Sequence, residues 1–291
     1  MNPMRGLGRR KLVAAVVIAA ALAVSGCTAA EPEQVATPTP SATLPDISTI
    51  AVVGDSMSLG VNACAEQGVC EQVSWAVGTD PAVNSVASRW GQLSGTAPET
   101  MALARPGAGI GTRDAAIRAL TDSDADLVLV LVGANDICTA SMSAITPTET
   151  FAAGYADLLA RTRDALPDAT VVALSIPDLL QLWRVGRTDP TAVKAWNSST
   201  SCTSMLDNAT SDAPEDEARR AVIQETIDAD NAAIAAACAA SEGCISDGGA
   251  VNAVEFTKAE VSTLDHFHPS VAGQAAIAAA AWTVVEEALV P

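Results

Sequence analysis

The two histidines of the chain lie together in one short segment, Asp265-His266-Phe267-His268. An imidazole changes its protonation near neutral pH, so it can take a proton during a reaction and return it afterwards. A carboxylate three residues before an imidazole can meet the second ring nitrogen within one turn of the chain. We therefore predict that His268 is a general base and that Asp265 orients it, which leaves His266 without an assigned role.

A serine that this base could activate follows an apolar, β-branched run at residues 50–53. The run predicts a buried strand, and Gly54, Asp55 and Ser56 come directly after it. A hydroxyl becomes an effective nucleophile when a neighbouring base takes its proton. Ser56 is therefore the candidate nucleophile, although Asp55 and Ser56 could instead only cap the helix that follows.

Polar residues also follow the next two predicted strands. Gly107 comes after the second strand, and Gly133-Ala134-Asn135-Asp136 follows a fully apolar third strand. The carboxyl ends of parallel strands lie at one edge of a sheet, where open α/β proteins bind their ligands. We therefore expect Ser56, Gly107 and Asn135 to converge there, although each taken singly could serve only a turn or a cap.

Together, these motifs resemble those of the SGNH hydrolases, also called the GDSL esterase/lipase family. Gly54-Asp55-Ser56-Met57 is similar to the first family block, with Met where the family's name has Leu. Gly107 resembles the glycine of the second block, Gly133-Ala134-Asn135-Asp136 the third block, and Asp265-x-x-His268 the fifth. The order also matches, and the resemblance extends from about residue 46 to the end of the sequence.

The resemblance implies a reaction and assigns residues to it. It implies a catalytic triad of Ser56, His268 and Asp265, which forms an acyl-enzyme and then hydrolyses it. It also implies an oxyanion hole built from the backbone N–H groups of Ser56 and Gly107 and the side-chain amide of Asn135. It implies neither a cofactor nor a metal ion.

Two other interpretations fit parts of these motifs. Asp265, His266 and His268 could ligate a metal ion, but the chain has no third histidine. Gly107-x-Gly109-x-Gly111 after a strand is similar to a dinucleotide-binding loop, but its third glycine comes one residue early.

Strand-like and helix-like segments alternate along the chain. Predicted strands cover residues 49–53, 100–104, 127–132, 170–175 and, as a short fifth strand, 250–254. Predicted helices cover residues 84–93, 113–120, 147–165, 191–196, 215–240 and 271–289. Thr146 is the predicted N-cap of the helix that begins at Pro147.

This alternation predicts a parallel sheet that helices cover on both faces. With the resemblance, it predicts the α/β class: a three-layer α/β/α sandwich around a central, mostly parallel five-stranded sheet, SGNH hydrolase-like and flavodoxin-like.

Residues 1–27 have the composition of an export signal. Basic residues precede an apolar stretch, 12–24, that is too short to span a bilayer, and small residues then precede Cys27. This pattern resembles the bacterial lipoprotein signal, in which the cysteine is acylated and becomes the new N-terminus. We therefore predict that acylated Cys27 anchors the exported protein to the outer face of the bacterial cell membrane. The alternative is an ordinary signal peptide with an incidental cysteine.

The rest of the chain divides into a tether and one domain. Residues 28–45 are rich in Pro, Thr and Ala and predict a disordered tether. The hydrolase domain is predicted to cover residues 46–291, with an insertion at about 177–214 that would shape the pocket.

Six cysteines remain when Cys27 is set aside, and exported proteins can keep disulfides. Closeness in sequence favours the pairs Cys64–Cys70 and Cys238–Cys244, which leaves Cys138–Cys202. Other pairings of six cysteines stay open. Zinc binding is the competing interpretation, but the sequence contains no C-x-x-C pair.

The formal net charge of −18 argues against binding to nucleic acid and against electrostatic attraction to anionic lipids. We therefore predict a secreted, lipid-anchored serine esterase that hydrolyses carboxylic esters of lipids or of acylated glycans. We expect a monomer whose partner is its ester substrate and whose membrane attachment is through Cys27 alone. The alternative is a non-catalytic cell-envelope lipoprotein that binds a ligand and retains the hydrolase fold.

Overall fold

The computed structural model of the protein describes residues 43–291. The predicted signal peptide 1–27, its acylated Cys27 and most of the predicted tether 28–45 lie outside the described residues. Within residues 43–291, no helix is both long enough and apolar enough to span a membrane.

Five strands form the central sheet, in the order β2-β1-β3-β4-β5. They are β1 (Thr49–Gly54), β2 (Glu99–Ala102), β3 (Leu127–Leu131), β4 (Thr170–Ala173) and β5 (Cys244–Ser246). Every pair of neighbouring strands is parallel. This is the flavodoxin-like order, in which the chain reverses direction across the sheet between β1 and β3 and leaves a binding crevice at their carboxyl ends. The predicted α/β fold class is confirmed.

Helices and single 3₁₀ turns connect the strands. The helices are α1 (Val86–Ser94), α2 (Arg113–Thr121), α3 (Ala134–Ile137), α4 (Thr148–Ala165), α5 (Leu180–Gly186), α6 (Pro190–Asn197), α7 (Thr203–Leu206), α8 (Pro214–Ala239) and α9 (Val271–Leu289). The 3₁₀ turns are Met57–Leu59, Glu71–Val73, Ile110–Thr112 and Met142–Ala144.

The two faces of the sheet carry separate cores. Successive strand residues face opposite sides, so Ala51 and Val53 of β1 pack with side chains of α2, α4 and α8. Ile50 and Val52 pack on the other side, with side chains of α1 and α9. The sheet is therefore covered by helices on both faces, as the alternation of strands and helices predicts.

The predicted fifth strand at 250–254 is wrong. The fifth strand is β5, and the residues that follow it form a turn. Asp247 closes this turn, because its carboxylate accepts hydrogen bonds from the N–H groups of Gly249 and Val251. Val251 is completely buried although it belongs to the turn, so its hydrophobicity indicated burial and not a strand.

Helix α4 begins one residue later than predicted. Pro147 occupies the N-cap position, and Thr148 is the first helical residue. The hydroxyl of Thr146, the predicted cap, instead donates a hydrogen bond of 2.9 Å to the Asp136 carboxylate. The contact with Asp136 therefore takes the side chain that would otherwise cap the helix.

The segment at the predicted insertion, 177–214, is largely helical and contains α5, α6 and α7. The disulfide Cys138–Cys202 links it to the end of α3. Two more disulfides, Cys64–Cys70 and Cys238–Cys244, each join cysteines six positions apart. The structure thus pairs the six cysteines as the sequence analysis predicts.

Candidate active site

Ser56 lies just beyond the end of β1, at the carboxyl edge of the sheet. The chain leaves the strand through a narrow space, because a Cβ atom on Gly54 would lie 2.3 Å from Ser58 Oγ and 2.7 Å from the Leu131 carbonyl oxygen. Glycine at this position therefore lets β1 pass β3 and enter the turn Met57–Leu59. The Ser56 side chain faces a surface cleft at this turn.

The imidazole of His268 joins Ser56 to Asp265. Its Nε2 atom lies 2.9 Å from Ser56 Oγ, and its Nδ1 atom lies 2.5 Å from Asp265 Oδ2. These three side chains therefore form one continuous chain of hydrogen bonds, although Ser56 and His268 are 212 residues apart. The three residues that the sequence analysis selected for a triad are thus brought together.

The short segment from Asp265 to His268 folds so that the two side chains meet. Asp265 Oδ1 accepts hydrogen bonds from the backbone N–H groups of Phe267 and His268, at 3.0 and 3.1 Å. This turn leaves the second carboxylate oxygen directed at the imidazole. The Phe267 ring stands edge-on to the imidazole, with ring centroids 5.1 Å apart, and restricts its rotation.

Asp265 is ionised through its hydrogen bonds. Burial alone would raise the pKa of this carboxyl, but hydrogen bonds from His268 and Asn62 outweigh burial and hold its pKa below the ordinary value. The carboxylate therefore favours its negative form beside the imidazole.

Asn135 lines the same cleft, in the first turn of α3 beyond β3. Its amide nitrogen donates to Asp55 Oδ2 at 3.1 Å and to the Ala108 carbonyl oxygen at 3.0 Å. Asp55 follows β1 and Ala108 follows β2, so the ends of three strands meet at this one amide. Gly133 makes the approach possible, because a Cβ there would lie 2.5 Å from Ile176.

Gly107 lies in the exposed turn after β2, where its φ of +75° favours glycine. It is not among the residues that line the cleft, so its predicted role as an oxyanion donor stays a prediction. Asp136 fixes the next part of the same loop, because its Oδ2 atom accepts a hydrogen bond of 2.9 Å from the Ile110 N–H group.

Asp55 is completely buried beside Ser56. Burial raises the pKa of its carboxyl to about 6, although hydrogen bonds from the Met57 N–H group and from Asn135 act in the opposite direction. The bond to Met57 is 2.9 Å long. Asp55 therefore orients Asn135 and the turn after Ser56 at once, which goes beyond the local cap considered from the sequence.

Gln274 of α9 also organises the site and was not assigned from the sequence. It is completely buried, and its amide nitrogen donates to the Met57 carbonyl oxygen at 2.8 Å. Its amide oxygen accepts a hydrogen bond of 3.0 Å from the Trp75 N–H group. The signal that could have indicated this role is a single polar side chain in the otherwise apolar first twelve residues of α9.

The cleft beside Ser56 opens to solvent. Its wall is mainly apolar, and the large apolar side chains in it are Met57, Leu179, Leu182, Met205, Phe256 and Phe267. Three of these residues, Leu179, Leu182 and Met205, belong to the segment 177–214. The segment therefore forms one wall of the candidate active site.

The site offers no set of metal ligands among residues 43–291, where no group of three or more His, Cys, Asp or Glu side chains is placed to hold an ion. His266 lines a different cavity from the cleft, together with Lys258 and Asp189. His266 and His268 therefore do not act on one common site.

Solved structures provide a comparison for the fold. The crystal structure of TesA matches with a TM-score of 0.51 and 15% sequence identity, covering 82% of this chain and 98% of that chain. A variant of Axe2, an acetyl-xylooligosaccharide esterase from Geobacillus, matches with a TM-score of 0.51 and 14% identity, covering 80% of this chain and 91% of that chain. No curated protein sequence matches the chain significantly.

These distant structures show only the fold, whereas a family model assigns the chain to a family. The model of the GDSL-like lipase/acylhydrolase family matches residues 52–276, well over half of the chain, and this range includes the Ser56, Asn135, Asp265 and His268 positions. The chain therefore belongs to the GDSL-like lipase/acylhydrolase family and is an ester-hydrolysing enzyme.

Proposed function

We propose that this enzyme hydrolyses carboxylic esters through a triad of Ser56, His268 and Asp265 and an acyl-enzyme on Ser56. The observation that carries the proposal is the chain of hydrogen bonds, 2.9 Å from Ser56 Oγ to His268 Nε2 and 2.5 Å from His268 Nδ1 to Asp265 Oδ2. It ends in an open cleft, where an ester could approach the serine.

Each residue has a defined task in the reaction. Ser56 Oγ attacks the ester carbonyl carbon while His268 Nε2 takes the hydroxyl proton. Asp265 holds the proton on Nδ1 and stabilises the imidazolium that forms. When the tetrahedral intermediate collapses, His268 gives its proton to the departing alcohol. Water then attacks the acyl-enzyme with His268 as the base, which releases the acid and restores Ser56.

The oxyanion requires donors that are already in place. We assign this task to the backbone N–H groups of Ser56 and Gly107 and to the Asn135 amide. In the free enzyme both hydrogens of this amide point at Asp55 and Ala108. Asn135 must therefore share one of them with the oxyanion when the substrate carbonyl polarises.

The cleft favours an apolar acyl group. The polar side chains in its wall are already engaged: Gln181 bonds the backbone of Val254 and Phe256, and Asp178 pairs with Arg184. Methionine, leucine and phenylalanine side chains remain to contact the substrate. We therefore propose an ester of a medium-length fatty acid, in preference to an acetyl ester.

The proposed location is the outer face of the cell membrane, with acylated Cys27 as the anchor. The support is the basic segment, the short apolar stretch and the small residues before Cys27. The three disulfides also fit an oxidising compartment.

The test compares p-nitrophenyl acetate, butyrate and octanoate as substrates of the purified protein. We expect kcat/KM to rise from the acetate to the longer esters, and Ser56→Ala to lose the activity. Ser58→Ala is the matched control, because the Ser58 hydroxyl is buried nearby without a hydrogen-bond partner within residues 43–291. An active Ser56→Ala variant would overturn the triad, and a preference for acetate would overturn the acyl-group assignment.

A fluorophosphonate probe identifies the nucleophile directly. The Ser56 oxygen displaces fluoride at phosphorus, and peptide mapping should place the adduct on Ser56 alone. An adduct on another serine would contradict the assignment.

A further inference from the structure

Asn62 contacts the carboxylate at the far end of the triad. Its amide nitrogen donates to Asp265 Oδ2 at 2.6 Å. The same oxygen bonds His268 Nδ1 at 2.5 Å, so this one atom joins the amide and the imidazole. Asn62 therefore fixes the position of the oxygen on which the orientation of His268 depends.

The loop closed by Cys64 and Cys70 holds Asn62 in this position. The side-chain oxygen of Asn62 accepts a hydrogen bond of 2.8 Å from the Gly68 N–H group, and its own N–H group donates to the Gly68 carbonyl oxygen at 2.8 Å. The Asn62 carbonyl oxygen accepts a hydrogen bond from Ser262 Oγ, three residues before Asp265. The disulfide overlaps these contacts, because Cys64 lies between Asn62 and Gly68 in the chain and Cys70 lies two residues beyond Gly68.

The backbone conformation at position 62 suits an asparagine. Its φ is +56°, in the left-handed region that asparagine, aspartate and glycine adopt more readily than other residues. The loop residues from 65 to 69 are exposed, whereas Asn62 itself is half-buried against Asp265. A half-buried amide thus lies between this exposed loop and Asp265.

We propose that Asn62 is a positioning residue for the triad carboxylate and that the Cys64–Cys70 disulfide keeps it in place. This inference rests on the proposed function of Asp265 and His268. Asn62 does not line the cleft beside Ser56, and its side chain bonds Asp265, so it acts on the reaction through Asp265.

The charges around the imidazole determine what a change at Asn62 should do. Asp265 faces the ring from its own loop, and Asp55 acts on it from the end of β1. A neutral amide at position 62 supports Asp265 without adding a third negative charge. A carboxylate at this position would instead repel Asp265 and favour the protonated imidazole.

Two variants separate the task of orientation from the task of holding the loop. Asn62→Gly keeps the backbone angle but removes both side-chain bonds. Asn62→Asp keeps an acceptor for the Gly68 N–H group but has no donor for Asp265. For both variants we expect kcat to fall roughly 10- to 100-fold, as for the loss of one hydrogen bond to a charged group, with KM little changed.

The pH profile distinguishes orientation from a general loss of structure. In Asn62→Asp the acid limb of kcat/KM should move to higher pH, so that the activity ratio between pH 8 and pH 6 increases. In Asn62→Gly the profile should keep its shape while its height falls. If Asn62 were merely structural, its variants would neither lower kcat at constant KM nor shift the acid limb of the pH profile of kcat/KM.

The two short disulfides provide a matched pair for the second half of the proposal. Both join cysteines six positions apart and neither loop lines the cleft, but only the loop 64–70 bonds Asn62, through Gly68. Changing Cys64 and Cys70 to Ser should lower kcat as Asn62→Gly does. Changing Cys238 and Cys244 to Ser should lower the melting temperature and leave kcat unchanged. If both double variants keep kcat, the disulfide has no positioning task.

A readout that needs no turnover separates this inference from the proposed function. The proton on His268 Nδ1, shared with Asp265, should give a low-field proton NMR signal that the Asn62 variants shift or broaden. Unchanged kcat and an unchanged signal in both variants would overturn the role of Asn62. A fully active Ser56→Ala variant would instead overturn the proposed function. The NMR signal would still report whether Asn62 positions Asp265 against His268.

Discussion

Asp55 combines a buried carboxyl group with two hydrogen bonds beside the nucleophile. Its pKa in the folded chain is about 6, above the ordinary value of 3.8, mainly because burial disfavours the charged form. The unfolded chain therefore releases this proton at lower pH than the folded chain does. The resulting penalty on stability is absent below the unfolded pKa, grows between about pH 4 and pH 6, and is complete above pH 6.

We predict opposite effects of Asp55→Asn on stability and on activity. A shift of roughly two pH units corresponds to about 3 kcal/mol, so the free energy of unfolding of the variant, relative to wild type, should be higher at pH 7.5 than at pH 4 by up to that amount. An amide at 55 has one acceptor oxygen for the two donors that Asp55 binds, the Met57 N–H group and the Asn135 amide, so one of them loses its partner and kcat should fall. Denaturant unfolding at the two pH values and steady-state kinetics check this prediction, and an equal stability difference at both pH values would contradict it.

At the scale of elements, the loop between β2 and α2 carries the carbonyl group that holds Asn135. Gly109 gives this loop its close contact with α3, because a Cβ there would lie 2.8 Å from Asp136 Oδ2. Asp136 is tied to Ile110 and Thr146 and cannot move away without breaking those bonds. The glycine that resembled part of a dinucleotide-binding loop is thus required for packing against the family's G-x-N-D motif.

Gly109→Ala should therefore lower kcat roughly 10- to 100-fold, because a small displacement of the Asn135 support misplaces an oxyanion donor. Gly111→Ala is the control, since no atom lies within 4 Å of a Cβ at that position. Steady-state measurement of kcat for the two variants tests this prediction. Equal activity in both would show that the loop does not set the position of Asn135.

The Cys138–Cys202 disulfide joins two elements of the cleft. Cys138 ends α3, three residues after Asn135, and Cys202 precedes α7, which carries Met205 into the cleft wall. Its cysteines are 64 positions apart, so the chain-entropy model gives a stabilisation of about 4 kcal/mol.

Replacing Cys138 and Cys202 by Ser should lower the free energy of unfolding by about that amount and raise KM for long-chain esters. The KM change follows because the wall 177–214 is no longer tied to α3. Denaturant unfolding and kinetics with p-nitrophenyl octanoate test both effects. A large loss of stability with an unchanged KM would mean that the disulfide does not shape the cleft.

Local sequence motifs predict those parts of the site that lie at a single strand end or within a single turn. Ser56, Asn135 and the Asp265–His268 pair were predictable because each motif carries its own geometry. Asn62 was not, since its partner Asp265 is 203 residues away and no local signal marks the contact. The fifth strand was misplaced for a similar reason. The apolar Val251 is buried, as a strand residue would be, but it lies in a turn. The Asp247 hydrogen bonds that form this turn leave no periodic pattern in the sequence.

At the scale of the whole molecule, the net charge and the predicted N-terminal signal bear on where the protein is located. The net charge of −18 gives no electrostatic attraction to anionic lipids, so a membrane location must come from another source. The proposed source is acyl chains on Cys27. Two chains are required for stable attachment, because a single chain binds only marginally.

We therefore predict that Cys27→Ala releases the protein from membranes or leaves it unprocessed. The check is fractionation of expressing bacterial cells, with the mass of the mature N-terminal peptide measured for both forms. Esterase activity of the released form should match that of wild type, since the change lies outside the catalytic domain. Equal membrane association and an equal mature mass would contradict the anchor.

The most direct test of the triad compares the two histidines in one assay. His268→Ala should reduce kcat/KM for p-nitrophenyl butyrate by roughly 10⁴-fold or more while the protein remains folded by circular dichroism. His266→Asn should stay close to wild type, because asparagine tolerates the φ of +53° and the backbone bonds of this residue persist. A nearly inactive His266 variant beside an active His268→Ala variant would contradict the account.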